Sequence, residues 1–190
     1  FELEVIPAGG AARRVRFNLR SILVPKLANA PSVDGRDREW SKMVPLRLTS
    51  AQAVRLAPWT PQEDRIQAEM RLGWDENYLY LVVAVDKADV VESAVGPSGL
   101  WNGDSLQIAF DPLRNATKDL QGYQDDDYEF AVGLWQGKPV VYMLRAAAAL
   151  YDSVDKQLGV VPSVKSAIRV ENGRTVYELA FPRLLVSPFR

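Results

Sequence analysis

The chain contains no histidine and no cysteine among its 190 residues. Without them, a Ser-His-Asp or Cys-His catalytic mechanism is impossible within the chain. The usual zinc ligands are missing as well, so no zinc site is expected. Disulfide bonds are excluded, although this does not fix the compartment, because many exported bacterial proteins lack them. The composition therefore favours holding a ligand over transforming one.

Long hydrophobic runs and an excess of charge of one sign are also missing. The longest apolar stretch, Leu79 to Val85, is far shorter than the roughly 20 residues of a membrane-spanning helix. The 23 Lys and Arg residues nearly balance the 24 Asp and Glu residues, which leaves no global positive field for nucleic acid or anionic lipid. The sequence predicts neither a membrane span nor nucleic-acid binding. With 47% apolar and 25% charged residues, one main globular domain is expected.

Alternating apolar and polar residues predict β-strands through the middle of the chain. Residues 66–74 are apolar at every second position, whereas Tyr78 to Asp86 is apolar on both faces and is predicted to be a central strand. The polar turn Asp75-Glu76-Asn77 joins the two as a hairpin. A second hairpin is predicted across Asn172-Gly173, a dipeptide typical of a type I′ turn.

Three further strands are predicted from apolar residues at every second position: Leu106, Ile108 and Phe110; Tyr128, Phe130, Val132 and Leu134; and Val140, Tyr142 and Leu144. Helical spacing is weak, and strands do not alternate with helices. Many short strands with turn signals between them favour an all-β fold, an antiparallel β-sandwich.

The two ends of the chain differ from the middle. Residues 1–24 are predicted to be the trailing strands of a preceding β-domain, and residues 25–30 a linker. Residues 31–190 then form the sandwich. Because the chain stops at Arg190 soon after its last predicted strand, the sandwich is expected to be incomplete at its C-terminal end, and the chain to be a fragment of a longer protein.

Four motifs occur in the order and spacing found in family 9 carbohydrate-binding modules and their DOMON-like relatives: PSVDGRDREW at 31–40, GWDENYLY at 73–80, WNGDSLQIAFD at 101–111 and DDDYEF at 125–130. The chain resembles these modules over roughly residues 31–182. The resemblance implies a jelly-roll-like β-sandwich that is usually appended to extracellular plant-polysaccharide hydrolases. It also implies a sugar site walled by aromatic rings and, often, structural calcium.

A sugar ring presents apolar C–H faces and a rim of hydroxyls, so its binder needs an aromatic plane beside polar groups. Trp101 follows a Gly-Pro-Ser-Gly loop and precedes a strand, a placement that could expose its indole or tuck it under the loop. The resemblance implies that this tryptophan is one wall of the sugar site. Gln107 and Glu129 alternate with the inward-facing apolar residues, so both are predicted to face a shallow groove on the opposite side of the sheet.

Other tryptophans are secondary candidates. Trp59 lies in a proline-framed loop and is a possible ligand contact, while Trp135 shares a strand face with Glu129 and either lines the groove or covers the sheet edge. Trp40 and Trp74 are predicted to be core residues. The second aromatic wall of the resembled modules lies near their C-terminal end, where this chain has no residue to assign.

The groove departs from the resembled modules at two positions. Those modules commonly carry a glutamate at the position of Gln107 and an arginine at that of Ala131. Their absence removes two charge-assisted hydrogen bonds, each worth roughly 1.5–3 kcal/mol. We therefore expect either a different sugar specificity or a loss of binding.

Carboxylates form a second candidate site. Asp104, Asp125, Asp126 and Asp127, with Asp111 and backbone carbonyls, could supply the six to eight oxygens that calcium prefers. A solvated acidic turn explains the same run of aspartates, and the resemblance favours a structural calcium ion. Haem is not expected, and no pair of carboxylates stands out for glycoside hydrolysis.

The sequence thus predicts a noncatalytic carbohydrate-binding module that stacks a sugar ring on Trp101. Its parent is expected to be an exported bacterial polysaccharide-processing protein, extracellular, at the cell surface or periplasmic. The main alternative is a structural β-sandwich that packs against a neighbouring catalytic domain and binds no sugar. A third class, a hydrolase in its own right, predicts turnover of chromogenic glycosides by this chain alone.

Overall fold

The computed structural model describes residues 23–49, 67–116, 122–147 and 158–187, together with the backbone of residues 2–6 and 14–16. Short 3₁₀ helices occur at Arg38–Trp40 and Pro97–Asn102. The strands are β1 (Glu2–Ile6), β2 (Arg14–Arg16), β3 (Leu46–Leu48), β4 (Ala68–Trp74), β5 (Tyr78–Val85), β6 (Ser105–Phe110), β7 (Tyr128–Trp135), β8 (Lys138–Arg145), β9 (Gly159–Val160), β10 (Lys165–Glu171) and β11 (Arg174–Pro182).

The strands form two antiparallel sheets. Sheet 1 has the order β2-β1-β6-β7-β8-β9, and sheet 2 has the order β10-β11-β5-β4-β3. The predicted all-β antiparallel sandwich is confirmed. Both predicted hairpins form, β4 with β5 and β10 with β11. At the second hairpin Asn172 and Gly173 have φ of 52° and 77°, as a type I′ turn requires.

The main core lies between the two sheets. Leu106, Ile108 and Phe110 of β6 are buried there, as their spacing predicted. The ring of Phe181 from sheet 2 packs edge-on against Phe110 and Phe130 of sheet 1, with centroid separations of 5.2 and 5.1 Å. Aromatic residues from both sheets therefore interlock in the interior.

Strand β8 faces the core with residues that the sequence did not single out. Val141 and Met143 are buried in the core, with 3% and 0% of their surface exposed. Val140, Tyr142 and Leu144, by which the strand was recognised, alternate with these residues and are only partly buried. Tyr142 therefore belongs to the outer face of sheet 1.

A segment from residue 31 to residue 43 covers the outer face of sheet 2. Trp40 is buried against Tyr80 and Val82, which confirms its predicted core position. The buried Glu178 carboxylate accepts hydrogen bonds from the backbone N–H groups of Asp34 and Gly35 and from the Trp40 indole N–H, at 2.9–3.0 Å. The candidate sugar residues Gln107 and Glu129 lie on the opposite side of the sandwich, because they alternate with core residues of β6 and β7 and so face outward from sheet 1.

The described parts of the N-terminal region belong to this sandwich. Strand β1 pairs with β6 in sheet 1, with Leu3 opposite Ile108. This pairing differs from the predicted separate domain of residues 1–24: β1 satisfies backbone groups that β6 would otherwise leave unpaired at an edge. In the predicted linker, Leu27 N–H donates to the carbonyl of Trp74 at 2.7 Å, so residues 25–30 are docked on β4. The expected incompleteness at the C-terminal end stays a prediction.

Candidate functional site

Trp101 lies on a loop whose two ends are tied together. This segment, residues 91–104, is called the Trp101 loop below. The Asp104 N–H donates to the Val91 carbonyl and the Val91 N–H donates to the Asp104 carboxylate, each at 2.7 Å. Lys87 forms an ion pair with the same carboxylate. Asp104 is therefore engaged at the base of the loop, which corrects its prediction as a metal ligand.

Further contacts brace the loop. The Ser93 hydroxyl donates to the Gly99 carbonyl at 2.7 Å, and the Asn102 side-chain amide donates to the same carbonyl at 3.1 Å. The Glu92 carboxylate accepts a hydrogen bond at 3.1 Å from the N–H of Gly137, in the turn between β7 and β8. At Gly103, an added Cβ would lie 2.5 Å from the Val91 carbonyl oxygen, so only glycine fits. The loop is thus held internally and fastened to sheet 1.

The indole of Trp101 lies at the surface of this braced loop. Trp101 is 37% exposed, so it is not tucked under the loop. The preceding residue, Leu100, is 1% exposed and lies over Gly133 of β7, 3.4 Å from where a Cβ would stand. Leu100 therefore anchors the 3₁₀ helix to the outer face of sheet 1, and Trp101 remains accessible to a ligand.

Beside the Trp101 loop, the outer face of sheet 1 is more enclosed than predicted. Gln107 and Ala131 lie opposite each other in β6 and β7, and they are 8% and 0% exposed. The prediction of a shallow open groove over this pair is therefore wrong. Glu129 lies on the same face and is partly buried. Gly133 allows Leu100 of the Trp101 loop to pack closely on the sheet, in space that the sequence analysis interpreted as part of a groove.

Trp135 and Trp59 are the remaining sugar-site candidates from the sequence. Trp135 is partly exposed at the end of β7, on the face shared with Glu129 and Gly133. Trp59 lies outside the described residues. Tyr142 of β8 stands opposite Ala131 on the same face, a position that the sequence analysis did not identify. The alternation of core-facing and outward-facing residues along β8 would have shown this position. The unbroken apolar run from Val140 to Leu144 hides that alternation in the sequence.

An acidic cluster lies at the other end of β6. Carboxylate oxygens of Asp111, Asp126 and Asp127 lie within 4.8 Å of one another. Asp111 follows β6, while the other two precede β7; because these strands are antiparallel neighbours, their ends meet. Asn115 donates its side-chain amide to Asp126 at 3.1 Å, and the Gln124 N–H donates to Asp127 at 2.6 Å.

The donors of this acidic cluster suit a hard cation. Oδ2 of Asp126 and Oδ1 of Asp127 are buried without a hydrogen-bond partner, a state that costs free energy unless a cation is bound. Burial raises the pKa of Asp127, and the nearby carboxylates of Asp111 and Asp126 raise it further. Carboxylate oxygens are the ligands calcium prefers. Asp126 and Asp127 thus lie together as predicted, with Asp111, whereas Asp125 is exposed outside the cluster.

The two candidate sites lie at opposite ends of one strand. The Trp101 loop leads into β6, and Asp111 follows its last residue. Six residues of extended chain span about 20 Å. The acidic cluster is therefore too far from Trp101 to touch a ligand stacked on its indole.

Comparison with known proteins identifies the family. The sequence profile described as "Carbohydrate family 9 binding domain-like" matches residues 33–183. Comparison with the curated proteins gives no match. None of the helices among the described residues has the length and apolar character needed to cross a bilayer.

Two similar solved structures are family 9 carbohydrate-binding modules from Caldicellulosiruptor kristjanssonii, in complex with cellotriose and with glucose. Their sequence identities to this chain are 18% and 16%, with TM-scores of 0.52 and 0.50. Each covers 84% of this chain, which in turn covers 65% and 68% of theirs, so it spans less than two thirds of the first. At these identities the likeness shows the shared fold. Because the profile spans most of the sequence, the chain belongs to the carbohydrate family 9 binding domain-like family.

Proposed function

We propose that this chain is a noncatalytic carbohydrate-binding module that stacks a sugar ring on the indole of Trp101. The observation that carries the proposal is the 37% exposure of a tryptophan on a loop that Asp104 and Ser93 hold in place. Exposing an aromatic plane on a rigid loop lowers the entropy cost of binding. Family membership and the sugars bound by the two similar structures support the same ligand class.

Polar contacts to the sugar would come from Glu129, which is partly buried, and from the small part of Gln107, 8%, that remains exposed. Both lie on the outer face of sheet 1 and alternate with core residues of β6 and β7. Trp135, at the end of the same face of β7, and Trp59 are further proposed contacts. Ala131 offers no charged group beside Gln107, so neutral hydrogen bonds would replace charge-assisted ones and weaken the contact with sugar hydroxyls.

We also propose that Asp111, Asp126 and Asp127 hold a structural calcium ion. The ion would neutralise three neighbouring carboxylates and occupy the buried oxygens that have no hydrogen-bond partner. It would join the end of β6 to the start of β7. Since the cluster lies at the end of β6 opposite the Trp101 loop, about 20 Å of strand away, the ion would stabilise the fold without touching the sugar.

The biological setting is part of the proposal. The module would belong to a larger exported bacterial protein that processes polysaccharides, outside the cell, at its surface or in the periplasm. The saccharides bound by two similar family 9 modules support the ligand class on which this proposed setting depends. The competing function is an accessory domain that packs against a catalytic neighbour and binds no sugar.

Isothermal titration across a panel of soluble sugars and plant polysaccharides tests the function. Saturable binding to at least one member is expected, with loss on Trp101→Ala and partial retention on Trp101→Phe, which keeps an aromatic plane. Leu184→Ala, at an exposed apolar side chain in the turn that follows β11, is the control and should bind as the unmodified chain. Absence of binding throughout the panel favours the accessory domain, and turnover of chromogenic glycosides would show a hydrolase instead.

A further inference from the structure

Arg145, the last residue of β8, reaches the turn that supplies two members of the acidic cluster. Its Nη2 donates a hydrogen bond at 2.9 Å to the carbonyl of Gln124, and its guanidinium lies over the Tyr123 ring, 5.7 Å from the centroid. Both contacts are with residues just before Asp126 and Asp127, in the segment that leads into β7. A cationic side chain of β8 therefore holds the backbone beside the proposed calcium ligands.

The backbone of Gln124 connects Arg145 to Asp127. The Gln124 N–H donates to the Asp127 carboxylate at 2.6 Å, and the Asp127 N–H donates to the Gln124 carbonyl at 3.2 Å. The same carbonyl accepts the hydrogen bond from Arg145. Because Asp111 follows β6 on a separate segment, its distance from Asp126 and Asp127 depends on how this turn is held.

Fold stability alone does not account for this arginine. Its Nε–H group is buried without an acceptor, and an unsatisfied buried donor costs free energy. Its charge acts on the acidic cluster: burial raises the pKa of Asp127, and the guanidinium of Arg145 lowers it by favouring the ionised carboxylate. Three ionised carboxylates and one guanidinium leave two negative charges, which a single divalent cation balances. Arg145 thus has a cost to the fold and a benefit to a cation site of this charge.

We infer that Arg145 is a positioning residue of the calcium site. It holds the turn at residues 124–127 so that Asp126 and Asp127 remain beside Asp111, and it sets the charge of the site to suit a divalent ion. This inference rests on the calcium ion proposed above and is independent of sugar binding. Groups that orient metal ligands from outside the coordination sphere change metal affinity by about 10–100-fold when they are removed. Arg145 acts in this indirect way, through Gln124 on Asp127.

The experiment measures calcium binding to the chelator-treated chain by titration calorimetry, and terbium binding by luminescence. Arg145→Met and Arg145→Gln both remove the charge and the contact with Gln124, and both are expected to weaken calcium binding about tenfold. The trivalent terbium ion should lose less affinity than calcium in these two neutral variants, because the site has gained one negative charge. Arg145→Lys keeps the charge, so its ratio of terbium affinity to calcium affinity should equal that of the unmodified chain.

Arg169→Met is the matched control. Arg169 belongs to β10 in sheet 2 and pairs with Glu171 at 3.9 Å, so its loss should leave calcium affinity unchanged. Calcium affinity unchanged in a folded neutral variant of Arg145 would overturn the inference and leave the proposed ion intact. Equal losses of calcium and terbium affinity would overturn the role of the Arg145 charge.

Failure of the calcium site itself gives a different result. If the unmodified chain binds neither ion, the proposed calcium site fails first and the inference fails with it, while sugar binding is tested separately. Melting curves in chelator identify a neutral variant that is unfolded, and the other neutral variant then decides the test.

Discussion

Asp104 and Val91 form a reciprocal pair: the N–H of each donates to the other residue, to a carbonyl in one direction and to a carboxylate in the other, both at 2.7 Å. The pair closes a loop of fourteen positions, 91–104, that carries Trp101. A side chain is thereby exposed on a segment whose ends cannot move apart. The hydrogen bonds between Asp104 and Val91 therefore hold in place the loop that presents Trp101 to the proposed sugar ligand.

Removing the Asp104 carboxylate should loosen the Trp101 loop. In Asp104→Ala the Val91 N–H and the Lys87 ammonium lose their acceptor, and hydrogen bonds to charged groups contribute about 1.5–3 kcal/mol each. We expect a lower free energy of unfolding by urea denaturation and weaker sugar binding. Asp89→Ala is the control, because Asp89 is exposed and lies 3.9 Å from the Lys87 ammonium. Equal effects of the two substitutions would contradict a specific role for the closure.

Calcium should raise the melting temperature of protein treated with a chelator. Binding to the folded state alone adds about 2.7 kcal/mol when the free ion is at 100 times its dissociation constant. Asp126→Asn should abolish the calcium effect, whereas Asp125→Asn, at an exposed position outside the cluster, should preserve it. Identical melting curves of the unmodified chain with and without calcium would contradict the proposed calcium site.

The effect of Asp127→Asn should change sign with calcium. Without the ion, burial raises the pKa of Asp127 above its value in the unfolded chain, so ionisation costs stability at neutral pH and this cost is relieved as the pH falls through the folded pKa. Asp127→Asn should then raise the melting temperature at pH 7 in chelator and have a smaller effect in acid. In calcium the same substitution should lower it, because a ligand is lost. A lower melting temperature in chelator at pH 7 would contradict the argument.

Glu178 should be essential to the covering of sheet 2. Glu178→Ala leaves three donors of residues 34–40 without their acceptor, and each unsatisfied buried group costs about 1–3 kcal/mol. Urea unfolding should show a large loss for alanine and a smaller one for Glu178→Gln, whose amide oxygen still accepts. The surface substitution Glu171→Ala should cost little, since its ion pairs are at 3.9–4.0 Å and partly exposed. An alanine effect no larger than that of Glu171→Ala would show that these hydrogen bonds contribute little.

Local pattern predicted the strands, the hairpins and the β6 core, because period-2 burial and turn chemistry depend on neighbouring residues. The acidic cluster depended on which strand ends meet, so the sequence included Asp104 and Asp125 in the metal set. The outward position of Tyr142 was not predicted, because the apolar run through β8 hides which alternate residues face the core. Glu178 looks like an ordinary polar position of an alternating strand, and only the segment at residues 34–40, more than 130 positions away, buries it.

The most direct test of the central claim follows the indole N–H signal of Trp101 by nuclear magnetic resonance while cellotriose is added. The signal is assigned by its disappearance in Trp101→Phe. A saturable shift of this signal, at the same sugar concentrations that give heat in titration calorimetry, is the predicted result. Saturable sugar binding that leaves the Trp101 signal unmoved would contradict stacking on this indole.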